Sequence, residues 1–345
     1  MKSPVEIAFK GRSGVSRIVI GQTIEMLPSL CSGKEVLIVA DEALPASFLK
    51  RLPDWPIHTV KGGENAKTLE TVKDLWQVFL DNRITRESTV IALGGGSITD
   101  LVGFAASTYM RGIAFGFIPT TLTSQTDAAI GGKNAINCQK VKNLIGTFSQ
   151  PRFVLIDPKC VQSLSDIQFR QGLAESVKCA AIADGEYFAW LEAKSSALLT
   201  RDTDAVLELI EHSVRIKLGF ITRDEMDRGA RRALNFGHSL GHVLELHSEL
   251  PHGYAVAIGM GVAARLSERI TGFPTLDTDR LVRLLKAFEL PVKQEMDVDT
   301  MILGLMTDKK RSASSMDFVL LKRLGESVVH RLSYATLEGY LRDLR

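Results

Sequence analysis

Two histidines stand four residues apart in the stretch LNFGHSLGH (234–242). Positions i and i+4 lie one turn apart on the same helix face, so the rings of His238 and His242 can point at a common centre. A metal ion, a phosphate or a proton relay would each use that geometry, and so would two histidines hydrogen-bonded in a core. The Glu that follows the first histidine in the H-E-x-x-H metalloprotease helix is absent here. A carboxylate comes instead from GLAESVK (172–178), where Glu175 precedes Lys178 by three residues on an otherwise apolar helix that continues CAAIA. An i,i+3 Glu–Lys pair is ordinarily a surface ion pair, but a carboxylate among apolar neighbours needs a partner or a metal. Glu175 is therefore a candidate third member of the histidine centre.

A second chemical signal is GGGSITD (94–100), which follows the apolar run TVIAL and opens a helix. Glycines let backbone N–H groups approach a diphosphate, and the helix N-terminus adds a partial positive charge. The spacing is not G-x-G-x-x-G, and a glycine triplet after a strand also serves as a plain tight turn. Asp100 falls in the first turn of that helix, where a carboxylate complements the dipole. Asp41 closes the run EVLIVAD (35–41), a place from which an acidic residue can bond ribose hydroxyls. GGENAK (62–67) is a further glycine turn carrying Glu64 and Lys67. Together these point to a nicotinamide dinucleotide.

The elements that must position these groups change character along the chain. EVLIVAD (35–41), PIHTVKG (56–62), STVIALGGG (88–96), IAFGFIPTT (113–121) and RFVLID (152–157) are apolar runs ended by Gly, Pro or Asp, with helix-spaced segments at 68–82 and 98–110 between them. Strands alternating with helices imply a mostly parallel sheet. Beyond about residue 160 the apolar spacing becomes helical, with one late hairpin at 316–332 turning at Gly325-Glu326. The expectation is an α/β domain over 1–158 and a mainly helical domain over 159–345, packed with a cleft of the kind ligands favour. A net charge of +2 speaks against a nucleic-acid stripe, no run of apolar residues is long enough to span a membrane, and the four cysteines lack disulfide or C-x-x-C spacing. With no secretory signal pattern at MKSPVEIAFKGRSG, a cytoplasmic enzyme is expected.

Through GGENAKTLET, GGGSITDLVGF, TYMRGI, IPTTLTSQTDAAIGGKNAIN, KNLIGTFSQP, GLAESVK, LNFGHSLGH, HGYAVAIGM and DKK, in that order, the chain resembles the 3-dehydroquinate synthase family of sugar-phosphate cyclases from about residue 35 to residue 325. The resemblance implies a Rossmann-like N-terminal α/β domain, a mainly α-helical C-terminal domain, NAD, and a divalent metal, Zn2+ or Co2+. It also implies conversion of 3-deoxy-arabino-heptulosonate 7-phosphate to dehydroquinate and phosphate, a shikimate-pathway step in which NAD is reduced and regenerated. By motif position Glu175, His238 and His252 correspond to the metal ligands. His242 then stands beside the metal as a proton-transfer group, with Lys178, Asp127, Asp227 and Asn235 completing the catalytic set. The cofactor positions are Asp41, Glu64, Lys67, Gly95, Gly96, Ser97, Asp100, Thr120, Thr121, Lys142 and Ser163. The phosphorylated keto acid falls to Arg111, Lys133, Asn143, Lys309 or Lys310, with Lys217 and Arg231 on its carboxylate. Arg111 reaches in from a neighbouring subunit in family members, which implies a homodimer. His247 matches no family position and is read as a surface residue.

The chain departs from the family pattern at four places. Asp227 replaces Glu, Tyr254 replaces the Glu of HGEAV, GAR replaces GLR, and the loop between His242 and His252 is short. Alternatives are a cyclase making an inosose or a valiolone, a metal-dependent polyol dehydrogenase, and a non-catalytic NAD-binding protein. A substrate without a carboxylate would leave Lys217 and Arg231 unpaired, and a dehydrogenase would need no cluster of phosphate-binding lysines.

Overall fold

The apolar runs form strands. In a computed structural model, which describes residues 3–31, 35–139, 141–307 and 314–343, they are β1 (Val5–Gly11), β2 (Gly14–Ile20), β3 (Val36–Asp41), β4 (Ile57–Val60), β5 (Thr89–Gly94), β6 (Ala114–Pro119), β7 (Lys133–Cys138), β8 (Val141–Phe148) and β9 (Phe153–Ile156). All except β7 and β8 join one sheet in the order β1-β2-β9-β6-β5-β3-β4. Pairing is parallel from β2 to β4, and only the β1–β2 edge is antiparallel. Strands β5 and β9 are buried along their whole length, as expected for a parallel sheet covered on both faces. Connections run through the short helices α1 (Leu27–Leu30) and α2 (Ala46–Leu49) and the longer α3 (Leu69–Asp81) and α4 (Gly96–Thr108).

Strands β1, β2, β7 and β8 were not read from the sequence. Two pairs of short half-exposed strands carry weak periodicity, and the antiparallel registers that pair Gly11 with Gly14 and Cys138 with Val141 join them. Asn134 secures the second pair: its side-chain amide donates to the Gly132 and Ser149 carbonyls at 3.1 and 2.9 Å.

The remaining elements are α5 (Asp166–Ala183), α6 (Gly185–Leu199), α7 (Thr203–Arg223), α8 (His238–Ser248), α9 (His252–Thr271), α10 (Thr275–Ala287), α11 (Val298–Thr307), the hairpin β10 (Ser315–Arg323) and β11 (Glu326–Ser333), and α12 (Tyr334–Asp343). The chain divides into one unit of Met1–Leu164 with Val206–Met226 and a second of Ser165–Ala205 with Asp227–Arg345. Most of α7 thus belongs with the sheet, whereas sequence reading placed everything after 158 in one helical domain. Leu207 packs against Gly21 at the end of β2, and Lys217 reaches Asp127, contacts between residues too far apart in sequence for local pattern to reveal.

Helix ends follow from local chemistry. α5 starts with a capping box in which Ser165 and Gln168 exchange side-chain and backbone hydrogen bonds, and Asp184 caps α6 by accepting from the Tyr187 N–H.

Candidate metal centre and cofactor turn

Three helices of the second unit converge on one point. Glu175 sits mid-way along α5, His238 is the first residue of α8 and His252 is the first residue of α9. One donor atom from each lies within 4.8 Å of the other two. Glycines allow this approach. A Cβ on Gly259 would lie 2.0 Å from the Gly237 carbonyl oxygen, one on Gly241 3.2 Å from the Val256 backbone, and one on Gly253 2.5 Å from the Cα of Gln171. So α8 and α9 touch backbone to backbone, and the start of α9 rests on α5. Gly237 also takes a left-handed φ of 76° immediately before His238, which an L side chain would resist.

The carboxylate is divided between two duties. Glu175 is 1% exposed, and Lys178, equally buried, holds its Oε2 at 2.6 Å. Its Oε1 faces the Nε2 atoms of His252 and His238 at 3.2 and 3.7 Å. On its other side, His238 donates from Nδ1 to the Phe236 carbonyl oxygen at 3.1 Å. That bond fixes the tautomer with a lone pair on Nε2, the form a metal ligand needs. Burial pushes the His238 imidazole down to about 3, an effect that Glu175 opposes and that Lys178, His252 and His242 reinforce. His252 differs. About a third of its side chain, 34%, reaches solvent, and burial of the ring works against its charged form. Hydrogen bonds to Glu175 and Glu245 outweigh that burial and hold it up to about 10. One acid and two imidazoles form a donor set suited to zinc or cobalt, with coordination positions left for substrate oxygens. A divalent cation would take the place of the proton on His252.

The i,i+4 spacing gave His238 and His242 equal claims to the centre. The structure separates them: His242 is exposed, its ring centroid 5.6 Å from that of His238 and 6.2 Å from that of His252, and it is not among the three converging donors. It stands at the edge of the centre. His247 is exposed as well.

In the same unit Arg231 is buried on the 3-10 turn Ala230–Asn235, where Asn235 donates to the Arg232 carbonyl at 3.1 Å. The partner Arg232 binds Asp317 on β10 at 2.6 Å, which ties the turn to the hairpin. Asp227 adopts a left-handed φ of 55° just before it. Lys309 and Lys310 lie outside the described residues.

The first unit assembles the glycine turns. Gly94 ends β5, Gly95 stands at the N-cap of α4 with no side-chain cap, and Gly96 begins the helix. Their missing side chains leave room that Thr121 and Ala128 border, since a Cβ on Gly95 or Gly96 would meet one of them at 3.0 Å. The 13-residue helix thus presents uncapped amides. Beside it, buried Lys67 bonds Asp100 at 2.7 Å and the Asn143 side-chain oxygen at 2.5 Å, with Glu64 at 3.7 Å. Burial raises the Asp100 carboxyl although the Lys67 ammonium pulls it down. The Gly63 N–H donates to the Ser97 hydroxyl at 3.0 Å, and a Cβ on Gly62 would collide with the Asp41 carboxylate. Asn137, absent from the sequence reading, locks this group by donating to Glu64 at 2.9 Å and accepting from the Asn143 N–H at 2.8 Å. Thr120 and the exposed Ser163 line one cavity of about 290 Å3 with Leu44, Phe48 and Arg51. Asp127 lies in a π-helical turn, Ser124–Ala128, and pairs with buried Lys217 through both its carboxylate and its carbonyl. Thr121 and Lys142 are half-buried, while Arg111 and Lys133 are exposed.

The chain is similar to known proteins. The chain is 39% identical to a 3-dehydroquinate synthase of Methylococcus capsulatus, covering 92% of both chains, and 42% identical to one of Dehalococcoides mccartyi, covering 82% of this chain and 77% of the relative. Among solved structures it superposes on 2-epi-5-epi-valiolone synthase of Streptomyces hygroscopicus, solved with NAD+ and Zn2+ bound, with a TM-score of 0.86, 29% identity and 95 and 96% coverage. A 2-deoxy-scyllo-inosose synthase solved with NAD+ and Co2+ shares the fold at a TM-score of 0.87 and 24% identity over 99 and 100% of the chains. The models for 3-dehydroquinate synthase N-terminal and C-terminal regions match residues 57–171 and 172–311, and the chain belongs to the 3-dehydroquinate synthase family.

Proposed function

We propose that this chain converts 3-deoxy-arabino-heptulosonate 7-phosphate to 3-dehydroquinate and inorganic phosphate, as a carbon–oxygen lyase that uses NAD catalytically and needs a divalent metal. The observation that carries the reading is the convergence of Glu175, His238 and His252 in a chain whose relatives over most of its length are named 3-dehydroquinate synthase. When bound, the ion supplies Lewis acidity at a substrate hydroxyl and NAD takes and returns a hydride.

The chain's own groups do the rest. Lys178 holds Glu175 in place, and His238, locked as the Nδ1–H tautomer, offers Nε2 to the ion. His242, exposed at the edge of the centre, relays a proton between substrate and water. Lys217, which pairs with Asp127, and Arg231, with its planar fork, are the groups assigned to the substrate carboxylate. Lys133, Asn143, Arg111 and Lys309 or Lys310 neutralise the phosphate, with Arg111 contributed by the second subunit of a homodimer. The uncapped start of α4 takes the cofactor diphosphate, Asp41 the ribose hydroxyls, and Thr120, Thr121, Lys142 and Ser163 its remaining length. No described helix is long and apolar enough to cross a membrane, in keeping with a cytoplasmic biosynthetic enzyme.

Incubation with the heptulosonate phosphate should release phosphate with no lasting NADH absorbance. A strong chelator should stop turnover and added Zn2+ or Co2+ restore it. Steady NADH accumulation would identify a dehydrogenase instead, and preferential turnover of a sugar phosphate lacking the carboxylate would identify a different cyclase.

A further inference from the structure

We propose that Glu245 orients His252 for metal binding: its carboxylate accepts the Nδ1–H and thereby commits the Nε2 lone pair to the ion. Both nitrogens of this ring face a carboxylate. Nδ1 lies 3.3 Å from the Glu245 Oε2 and Nε2 lies 3.2 Å from the Glu175 Oε1. Only one arrangement serves a cation on the Glu175 side, namely the proton on Nδ1 and donated to Glu245. Glu245 is not one of the three converging donors, so its part is to position the ring, not to bind the ion.

The helix register delivers it there. Gly237 abuts Gly259 and Gly241 abuts Val256, so positions later in α8 lie beside positions earlier in α9, and Glu245 arrives beside His252. The side chain is 15% exposed, where a charge-assisted hydrogen bond outweighs a solvated surface pair. His238 uses a backbone carbonyl for the same purpose, and no side-chain substitution removes that acceptor. His252 depends on Glu245. The residue lies seven positions after His238 and three after His242, on one face of α8, so a single helix carries a ligand, a proton group and the orienting acid.

This assignment rests on the metal centre proposed above but not on the reaction. The test therefore reads Zn2+ and Co2+ affinity of the full-length protein without substrate, by competition with a chromogenic chelator. Glu245→Ala should weaken binding by about 10- to 100-fold. Glu245→Gln keeps an acceptor for Nδ1–H and should recover part of that loss, with the Co2+ absorption bands displaced from wild type. Glu249→Gln, which removes a nearby exposed charge, should leave affinity unchanged.

Wild-type affinity in both Glu245 variants, or a loss no larger than that of Glu249→Gln, overturns the assignment. If Glu245→Ala does not fold, Glu245→Gln decides alone by the same criteria. A role confined to stability would lower the melting temperature of the metal-free protein and leave metal affinity intact, and that result also overturns it. A wild-type chain that binds neither ion sinks this proposal and the metal centre together, whereas normal metal behaviour without turnover sinks only the proposed reaction.

Discussion

The two candidate sites arrange their charges differently. In the first unit the buried Lys67 is paired with Asp100 and Asn143, with Glu64 at 3.7 Å, and Asn137 cross-links the surrounding side chains, so the polar groups are tied to one another. In the second, the Glu175 and Glu245 carboxylates face opposite nitrogens of one imidazole, and Lys178 holds the other oxygen of Glu175. A closed polar network makes a rigid wall against which a ligand can lie. Two carboxylates turned toward the two nitrogens of one imidazole make a site that a divalent cation can complete by displacing a proton.

The largest effect should come from removing the carboxylate that both histidines face. Glu175→Gln takes away the charge while nearly keeping the shape, leaving buried Lys178 without its 2.6 Å partner. Divalent metal affinity should fall by more than about 100-fold, beyond the range for an outer partner, and turnover with it. Equilibrium dialysis with Zn2+ measures this, and a variant that still binds a full equivalent of metal would break the contrast between the sites.

Proton competition should come next. In the metal-free protein the His252 pKa is raised from the ordinary 6.5 to about 10. The bound proton therefore stabilises the fold fully below pH 6.5, and that contribution disappears as pH rises through about 10. A cation displaces the same proton, so apparent metal affinity should climb about tenfold per pH unit as pH rises toward about 10 and level off above it. The metal-loaded protein should lack the corresponding fall in melting temperature. Chelator-buffered titrations and thermal melts at several pH values check both, and an affinity flat with pH would show that no proton is displaced.

Legibility in the sequence follows the same divide. Five strands of the sheet, the glycine turn before α4 and the late hairpin could all be read because local apolar periodicity and Gly or Pro punctuation set them. Of the candidate metal centre, His238 and Glu175 were legible from spacing and apolar surroundings, and His252 only from the matching motifs. Spacing alone favoured His238 with His242, because a single helix was the only geometry the sequence offered. What brings His252 to the centre is the contact of α8 with α9, and that depends on Gly237, Gly241 and Gly259 accepting backbone where others carry a Cβ. Glu245 went unnoticed for the same reason, although its i+7 spacing from His238 was visible. The return of α7 to the first unit, through Leu207 and Lys217, is likewise a non-local fact.

That dependence gives the third prediction. In Gly259→Ala the new methyl would meet the Gly237 carbonyl oxygen, a backbone atom that can move only by separating the two helices. The cost should be about 3 kcal/mol of stability, the upper part of the range for overpacking. Metal affinity should fall alongside, since His238 directly follows Gly237. Denaturant unfolding and metal titration of one preparation check the pair of effects. Loss of stability with unchanged affinity would uncouple the helix contact from the centre.

The smallest effect concerns the departure at residue 254. The family pattern has a carboxylate two residues after His252, and here Tyr254 stands where it helps to raise the pKa of the Arg170 guanidinium, which pairs with Glu289. Arg170 lies on α5, the helix that carries Glu175, so the tyrosine links the first turn of α9 to the ligand-bearing helix from outside the centre. A carboxylate at 254 would have added a third acid near His252, whereas a neutral phenol ties the helices without adding charge. Tyr254→Phe removes only the hydroxyl and should cost no more than about 1 kcal/mol, the worth of a polar contact with a partly exposed cation. Because Glu245, not Tyr254, contacts the His252 ring, metal affinity and its pH dependence should stay at wild-type values. A drop in affinity as large as that expected for Glu245→Ala would mean that the brace between α5 and α9, not the carboxylate on Nδ1, sets the position of the ring.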